Sequence, residues 1–111
     1  MNPRFAPVPK SPNCVSSRAP ATDAQHYIPP LQGVTVAQVK AAALAMPRTE
    51  LMEEDGDYVH IVFTSALFRF KDDVELQQEG DLVHVRSASR VGYGDLGANR
   101  KRVEALRAAV S

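Results

Sequence analysis

The spacing of apolar residues changes period along this chain. Between residues 57 and 64 it alternates, with Val59, Ile61 and Phe63 on one side and Tyr58, His60 and Val62 on the other. Period two marks a strand whose faces meet different surroundings. Val74 and Leu76 alternate with Glu75 and Gln77 in the same way, and residues 82–89 form the last strand of the set. Residues 49–54 run into Asp55-Gly56, a strong hairpin signal, and Gly80-Asp81 makes a second turn. Residues 67–70 are apolar and either start the third strand or form a bulged corner.

On either side of these strands the period lengthens to that of a helix. Val36, Val39, Ala43 and Met46 make one stripe, and Leu96, Asn99, Val103, Leu106 and Val110 make another. Thr35-Val-Ala-Gln38 is a capping box with Val34 and Val39 as its staple, and Pro47 forbids continuation, so the first helix spans roughly 36–46. Asp95 is the expected N-cap of the second helix, and Arg100 with Glu104 an i,i+4 pair on its flank.

Seven of the eight prolines fall in residues 1–33. Proline fixes φ and lacks an N–H donor, so this stretch reads as an extended arm. Phe5, Val15, Tyr27, Ile28 and Leu31 would pin it to the domain, with the first ten residues the loosest. The expected fold class is α+β. It is a two-layer sandwich of a four-stranded antiparallel sheet and two helices, in the order α-β-β-β-β-α. The arm at 1–33 precedes a single domain at 34–111.

Composition adds bounds. A chain of 111 residues with 44% apolar and 23% charged side chains is one globular domain. Thirteen basic and thirteen acidic side chains cancel, so no general pull toward nucleic acid or an anionic membrane is expected. The charge is nonetheless in blocks. Residues 49–81 hold ten acidic and two basic side chains, and residues 82–111 hold six basic and two acidic, which lets the strands and the last helix complement each other. One cysteine excludes an intrachain disulfide and a multi-cysteine zinc site. No apolar stretch approaches the roughly 18 residues of a membrane span, and the first ten residues do not read as a secretory signal. The chain as written reads as cytoplasmic, or as envelope-associated if it is a piece of an anchored protein. Neither a metal nor a cofactor is expected.

Candidate chemistry gathers toward the C-terminus. Arg86, Arg90, Arg100 and Arg102, with Ser87 and Ser89, could hold an anion, since guanidinium forks match carboxylate or phosphate. Alternatively these arginines join Asp72, Asp73 and Glu75 in a structural network. Asp73 and Glu75 share a strand face and are candidate general acid/base groups. Cys14 is a candidate nucleophile with His26, His60 or His84 as its base, or else a small buried hydrophobe. Two strand histidines without a third ligand do not make a zinc site. Asn99 stands on the apolar stripe of the last helix, where its amide either anchors structure or points into a pocket beside Arg90. Gly92-x-Gly94-x-x-Gly97 spells a dinucleotide fingerprint, but neither a second parallel strand nor a following acidic residue completes it. A capped glycine turn accounts for it.

Four segments then carry a resemblance. They are Ser11-Pro-Asn-Cys14-Val-Ser-Ser17, His26-Tyr-Ile-Pro-Pro-Leu31, Phe70-Lys-Asp-Asp-Val-Glu75, and the run from Arg86-Ser-Ala-Ser-Arg90 through Gly92-Tyr-Gly-Asp95 to Asn99-Arg-Lys-Arg102. In that order they resemble the bacterial and plastid family catalogued as domain of unknown function 1499. The resemblance implies a small α+β domain and supplies no catalytic residues. The expected function is a non-enzymatic binding or accessory protein. Its ligand site would lie at Arg86, Ser89, Arg90, Asn99 and Arg100, with a small anion or a protein as partner and no nucleic acid. A small enzyme using Cys14 or the Asp73/Glu75 carboxylates, and a purely structural subunit, are the alternatives.

Overall fold

The computed structural model describes residues 5–111. In chain order its elements are β1 (Cys14–Ser16), β2 (Leu31–Gln32), α1 (Val36–Leu44), β3 (Thr49–Asp55), β4 (Tyr58–Thr64), β5 (Lys71–Glu79), β6 (Leu82–Ser89) and α2 (Ala98–Val110). The fold is α+β, with two helices and an antiparallel sheet. The sheet runs β3-β4-β5-β6-β1, and β2 takes the remaining length of the same β6 edge. Six strands stand where four were expected, and two of them precede α1.

The difference has a physical source. β6 is eight residues long and would leave one whole edge unpaired. Cys14–Ser16 contains no proline and pairs with Ala88, Ser87 and Arg86. Leu31–Gln32 follows Pro29-Pro30 and pairs with Val83 and Leu82. Prolines beside an edge strand are compatible with such pairing. Strands of three and two residues are too short to show a period. The arm thus closes the sheet at these two places. The expectation that the first ten residues are loosest falls in part outside the described residues.

Asp55-Gly56 makes its hairpin, with Gly56 at φ 60, a backbone conformation glycine adopts at little cost. β5 begins at Lys71, so residues 65–70 are a loop rather than a strand start. That loop is closed by Ser65 N to Phe70 O and Phe70 N to Ser65 Oγ, both 2.9 Å. The register irregularity lies in β3, between Leu51 and Glu53.

α1 carries the full capping box: Gln38 N donates to Thr35 Oγ1 at 3.2 Å and Thr35 N to Gln38 Oε1 at 2.8 Å. α2 departs from expectation in three ways. Its N-cap is Gly97, at φ 79, not Asp95. The Asp95 carboxylate still serves the turn, accepting from Gly97 N at 2.8 Å and Asn99 N at 3.2 Å. Leu96 lies before the helix at φ 55 and is 98% exposed, because two successive left-handed residues turn it out of the stripe. The flank pair is Glu104 with Arg107, at 3.0 Å, while Arg100 donates to the carbonyls of Ala24 and Gln25.

Both helices pack on one sheet face. Val39 and Ala43 of α1 and Val103 and Leu106 of α2 meet Ile61, Leu76 and Val85. Each of these side chains other than Ala43 contributes about 1.5–3 kcal/mol by leaving water. The other face is polar, and residues 5–7 cross it. Ala6 N donates to Glu75 Oε1 at 3.1 Å, Arg86 Nη2 donates to the Pro7 carbonyl at 2.9 Å, and the Arg18 guanidinium lies over the Phe5 ring.

Candidate functional site

Strand alternation divides the arginine-rich run between two faces. β5 and β6 pair Glu75 with Arg86, Asp73 with Ala88, and Asp72 with Ser89. Arg86 and Arg90 therefore reach the polar face beside Glu75 and Asp73, whereas Ser87 and Ser89 point under α2 with Asp72. The five residues expected to share one ligand site are not brought together. Arg86 and Arg90 lie on one face, Ser89 and Asn99 on the other, and Arg100 against the arm.

On the polar face the acidic and basic blocks meet. Glu75 accepts from Tyr58 Oη at 2.6 Å and pairs with Arg86 at 3.4 Å, all three side chains being buried. Asp73 binds Arg90 through two 2.9 Å contacts and His60 at 2.7 Å. The Arg90 guanidinium, with help from His60, holds the Asp73 carboxyl below its ordinary value. At the far end Glu79 pairs with Arg18 at 3.4 Å and with His84 at 3.2 Å. Among the described residues no group of three or more histidine, cysteine or carboxylate side chains is arranged to hold a metal ion.

Cys14 is wholly buried on this face, and burial pushes its thiol above the ordinary value against the pull of Arg86. Thiolate chemistry needs the opposite shift. His26, the nearest histidine in sequence, is occupied elsewhere: Nδ1 contacts Asp23 at 2.8 Å and Nε2 the Ser11 carbonyl at 2.8 Å.

His26 and His84 give stability opposite pH dependences. The Ser11 carbonyl and Asp23 raise the pKa of His26 above 6.5. Its contribution is complete below 6.5 and is lost as pH rises through the raised value. Burial and Arg18 lower that of His84. Its contribution is complete above 6.5 and is lost as pH falls through the lowered value. His26→Gln should therefore destabilise more at pH 5.5 than at pH 8, and His84→Gln more at pH 8 than at pH 5.5. Urea titrations of both variants at both pH values check the signs.

Beneath the start of α2 lies a second polar cluster. Asn99 is fully buried. Its Oδ1 accepts from Ser87 Oγ at 2.7 Å and Arg102 Nη1 at 2.8 Å. Its Nδ2 donates to Asp95 Oδ2 at 2.7 Å, Ser89 Oγ at 3.0 Å and the Asn13 carbonyl at 3.2 Å. Arg102 continues to Asp72 at 2.8 Å and stacks over Phe63 at 5.0 Å. Burial pushes the Asp95 carboxyl up, but hydrogen bonds from Asn99 and from the Gly97 and Asn99 amides outweigh it and keep the pKa low.

This cluster floors a cleft of about 330 Å³ between residues 65–70 and 91–97. Asp72, Ser89 and Arg102 form the polar floor, and Phe68, Phe70, Val91 and Leu96 the apolar walls. Phe68 and Phe70 stack at 5.5 Å between ring centroids. Of the expected site residues only Ser89 lines this cleft, with Asn99 bonded directly behind it. The apolar walls were missed. Their signal was present in the apolar residues at 67–70 and at Val91, outside the alternating strands, whereas Leu96 was read as part of the helical stripe.

The family described as "Protein of unknown function (DUF1499)" matches residues 4–110, and the chain belongs to that family. No curated protein matches the chain.

Proposed function

We propose that the protein is a non-enzymatic binding or accessory protein whose ligand sits in the cleft between residues 65–70 and 91–97. The carrying observation is the placement of exposed apolar walls over a hydrogen-bonded polar floor made by the buried Asp72 and the half-buried Ser89 and Arg102. A cleft of about 330 Å³ lies within the range of small-molecule sites, in which apolar walls provide contact and a few polar groups fix orientation. The fitting ligand is amphipathic, with an apolar body between Phe70 and Val91 and a hydrogen-bonding head at Ser89 and Arg102.

A free anion held by the arginines alone has less support, because Arg86, Arg90 and Arg102 each face a carboxylate. Catalysis by Cys14 has less support too, given its burial and raised pKa.

A thermal-shift panel of soluble amphiphiles (decanoate, octyl phosphate, aromatic carboxylates) against plain phosphate and acetate tests this. At 100-fold excess over Kd, binding stabilises by about 2.7 kcal/mol, so a fitting amphiphile should raise Tm by about 10 °C. Phe70→Ser and Val91→Ser, at exposed positions, should erase the rise. A response to phosphate alone, or one unchanged in both variants, would count against the cleft.

A further inference from the structure

The walls of the cleft continue outward into an apolar tip. Among the described residues nine large apolar side chains are exposed, and six lie on these two loops: Leu67, Phe68, Phe70, Val91, Tyr93 and Leu96. Scattered single apolar residues are normal on a surface, but a cluster at one end of a molecule marks an interaction site. Leu96 sharpens this. It is the most exposed of the six and is held at φ 55, a conformation L side chains rarely adopt. Arg69, in the other loop, is held at φ 58. Backbone strain of this kind persists where a loop is held in place and clusters at functional surfaces.

Charge identifies the occupant. Segments 65–71 and 90–97 hold three basic side chains, Arg69, Lys71 and Arg90, against Asp95 alone; Arg90 is bound by Asp73, which leaves the exposed Arg69 and Lys71 to meet an anion. The Asp95 carboxylate is already engaged by Asn99 and the Gly97 amide. Each of β4, β5 and β6 has its other end at the turns 53–57 and 79–81, which hold six carboxylates and no cation of their own, Glu54 being paired with Lys40 and Glu79 with Arg18. The fold thus converts a chain of zero net charge into a body with an apolar, basic tip and an acidic tail. Aromatic and aliphatic side chains ringed by lysine and arginine are what an interfacial membrane site presents. Such a site buries its apolar groups at the headgroup boundary and draws its cations to anionic lipid. A protein partner would have to match the same pattern with a complementary acidic and apolar surface, and a second copy would bring two basic tips together.

We infer that the tip formed by residues 65–71 and 90–97 docks on the surface of an anionic lipid bilayer, inserting Leu67, Phe68, Tyr93 and Leu96 with the cleft opening toward the lipid. The inference rests on the cleft as ligand seat and names the ligand's source: a lipid amphiphile met at the bilayer. No helix among the described residues is long and apolar enough to cross a membrane, and surface docking needs none.

Flotation with vesicles of phosphatidylcholine alone, and with 30% phosphatidylglycerol, tests it at low and high salt. The protein should float with the anionic vesicles and release at high salt. Phe68→Ser/Leu96→Ser should weaken binding about tenfold or more, and Arg69→Glu/Lys71→Glu comparably, with unchanged circular dichroism and Tm showing that the fold persists. Absence of flotation overturns the inference, as does flotation unaffected by Phe68→Ser/Leu96→Ser. Concentration-dependent dimerisation abolished by that same pair would overturn it in favour of a second copy. If soluble amphiphiles raise Tm while vesicles are not bound, the cleft reading stands and the membrane inference fails. Salt-sensitive flotation with no amphiphile response rejects the cleft as a seat and, with it, the lipid amphiphile named here as its ligand.

Discussion

Replacing Asn99 with leucine should lower the unfolding free energy by about 4 kcal/mol and Tm by about 15 °C. Leucine keeps the branched shape but is bulkier than asparagine, so overpacking adds to a loss that is mainly one of hydrogen bonding. The side chain joins Ser87, Ser89, Asp95, Arg102 and the Asn13 carbonyl, and is wholly buried. Each partner left unmatched in a buried setting costs about 1–3 kcal/mol, with partial recovery through rearrangement. Ser87→Ala removes one of these contacts and should cost about 1 kcal/mol. Equilibrium urea unfolding, with the m-value unchanged, checks both. A loss below 1 kcal/mol for Asn99→Leu would mean that the cluster reorganises freely.

Asn99 also shows what could be read from sequence. An amide on the apolar stripe of a helix has to find partners, and the helical spacing alone exposes that requirement. The identity of the partners does not follow from it. Ser87 and Ser89 come from β6, Asp95 from the turn, and Asn13 from the arm, so stretches of chain distant in sequence converge on it. Periodicity placed the buried faces of β4, β5 and both helices, because each is long enough to repeat its own pattern. It missed β1 and β2, whose existence is dictated by the vacant edge of β6 rather than by their own residues. It misplaced Leu96 for a related reason: the stripe extends one turn past the helix only if the backbone stays helical there, and Leu96 and Gly97 leave it for the left-handed region.

Charge followed the same division between local and global information. The acidic block at 49–81 and the basic block at 82–111 were visible, and Arg102–Asp72, Arg90–Asp73 and Arg86–Glu75 are pairs they form. The polarity of the whole body was hidden by the zero sum. Hairpins stack the turns at 53–57 and 79–81 at one end, and this gathers an excess of carboxylates away from the loops that carry Arg69 and Lys71. The expectation of no pull toward an anionic surface came from a total, whereas the end of a folded body acts within about one Debye length, about 8–10 Å at physiological salt.

The second large effect should come from the buried pair under the arm. Arg86→Met should cost about 3–4 kcal/mol, because it leaves the Glu75 carboxylate buried with Tyr58 and the Ala6 amide but no cation to stabilise its charge. It also removes the donor to the Pro7 carbonyl, so proteolysis within residues 5–10 should accelerate in step. Glu75→Leu leaves the Arg86 cation uncompensated and should cost a similar amount. Combining Glu75→Leu with Arg86→Met should return most of the loss, since two apolar chains suit a site that desolvates both ions. The geometry already signals imperfect pairing, with a 3.4 Å contact and the Arg86 Nε buried without a hydrogen-bond partner among the described residues. A recovery of about 2 kcal/mol or more in the double variant shows that the two ions are coupled, and a double variant at least as stable as the wild type identifies the pair as one that costs stability. If the double variant is as unstable as the sum of the singles, the ions hold the arm and the sheet together through their hydrogen bonds to Ala6, Pro7 and Tyr58. Arm proteolysis distinguishes the two outcomes independently: stability restored with the arm still readily cleaved separates the ion pair's role in the sheet from its role in binding the arm.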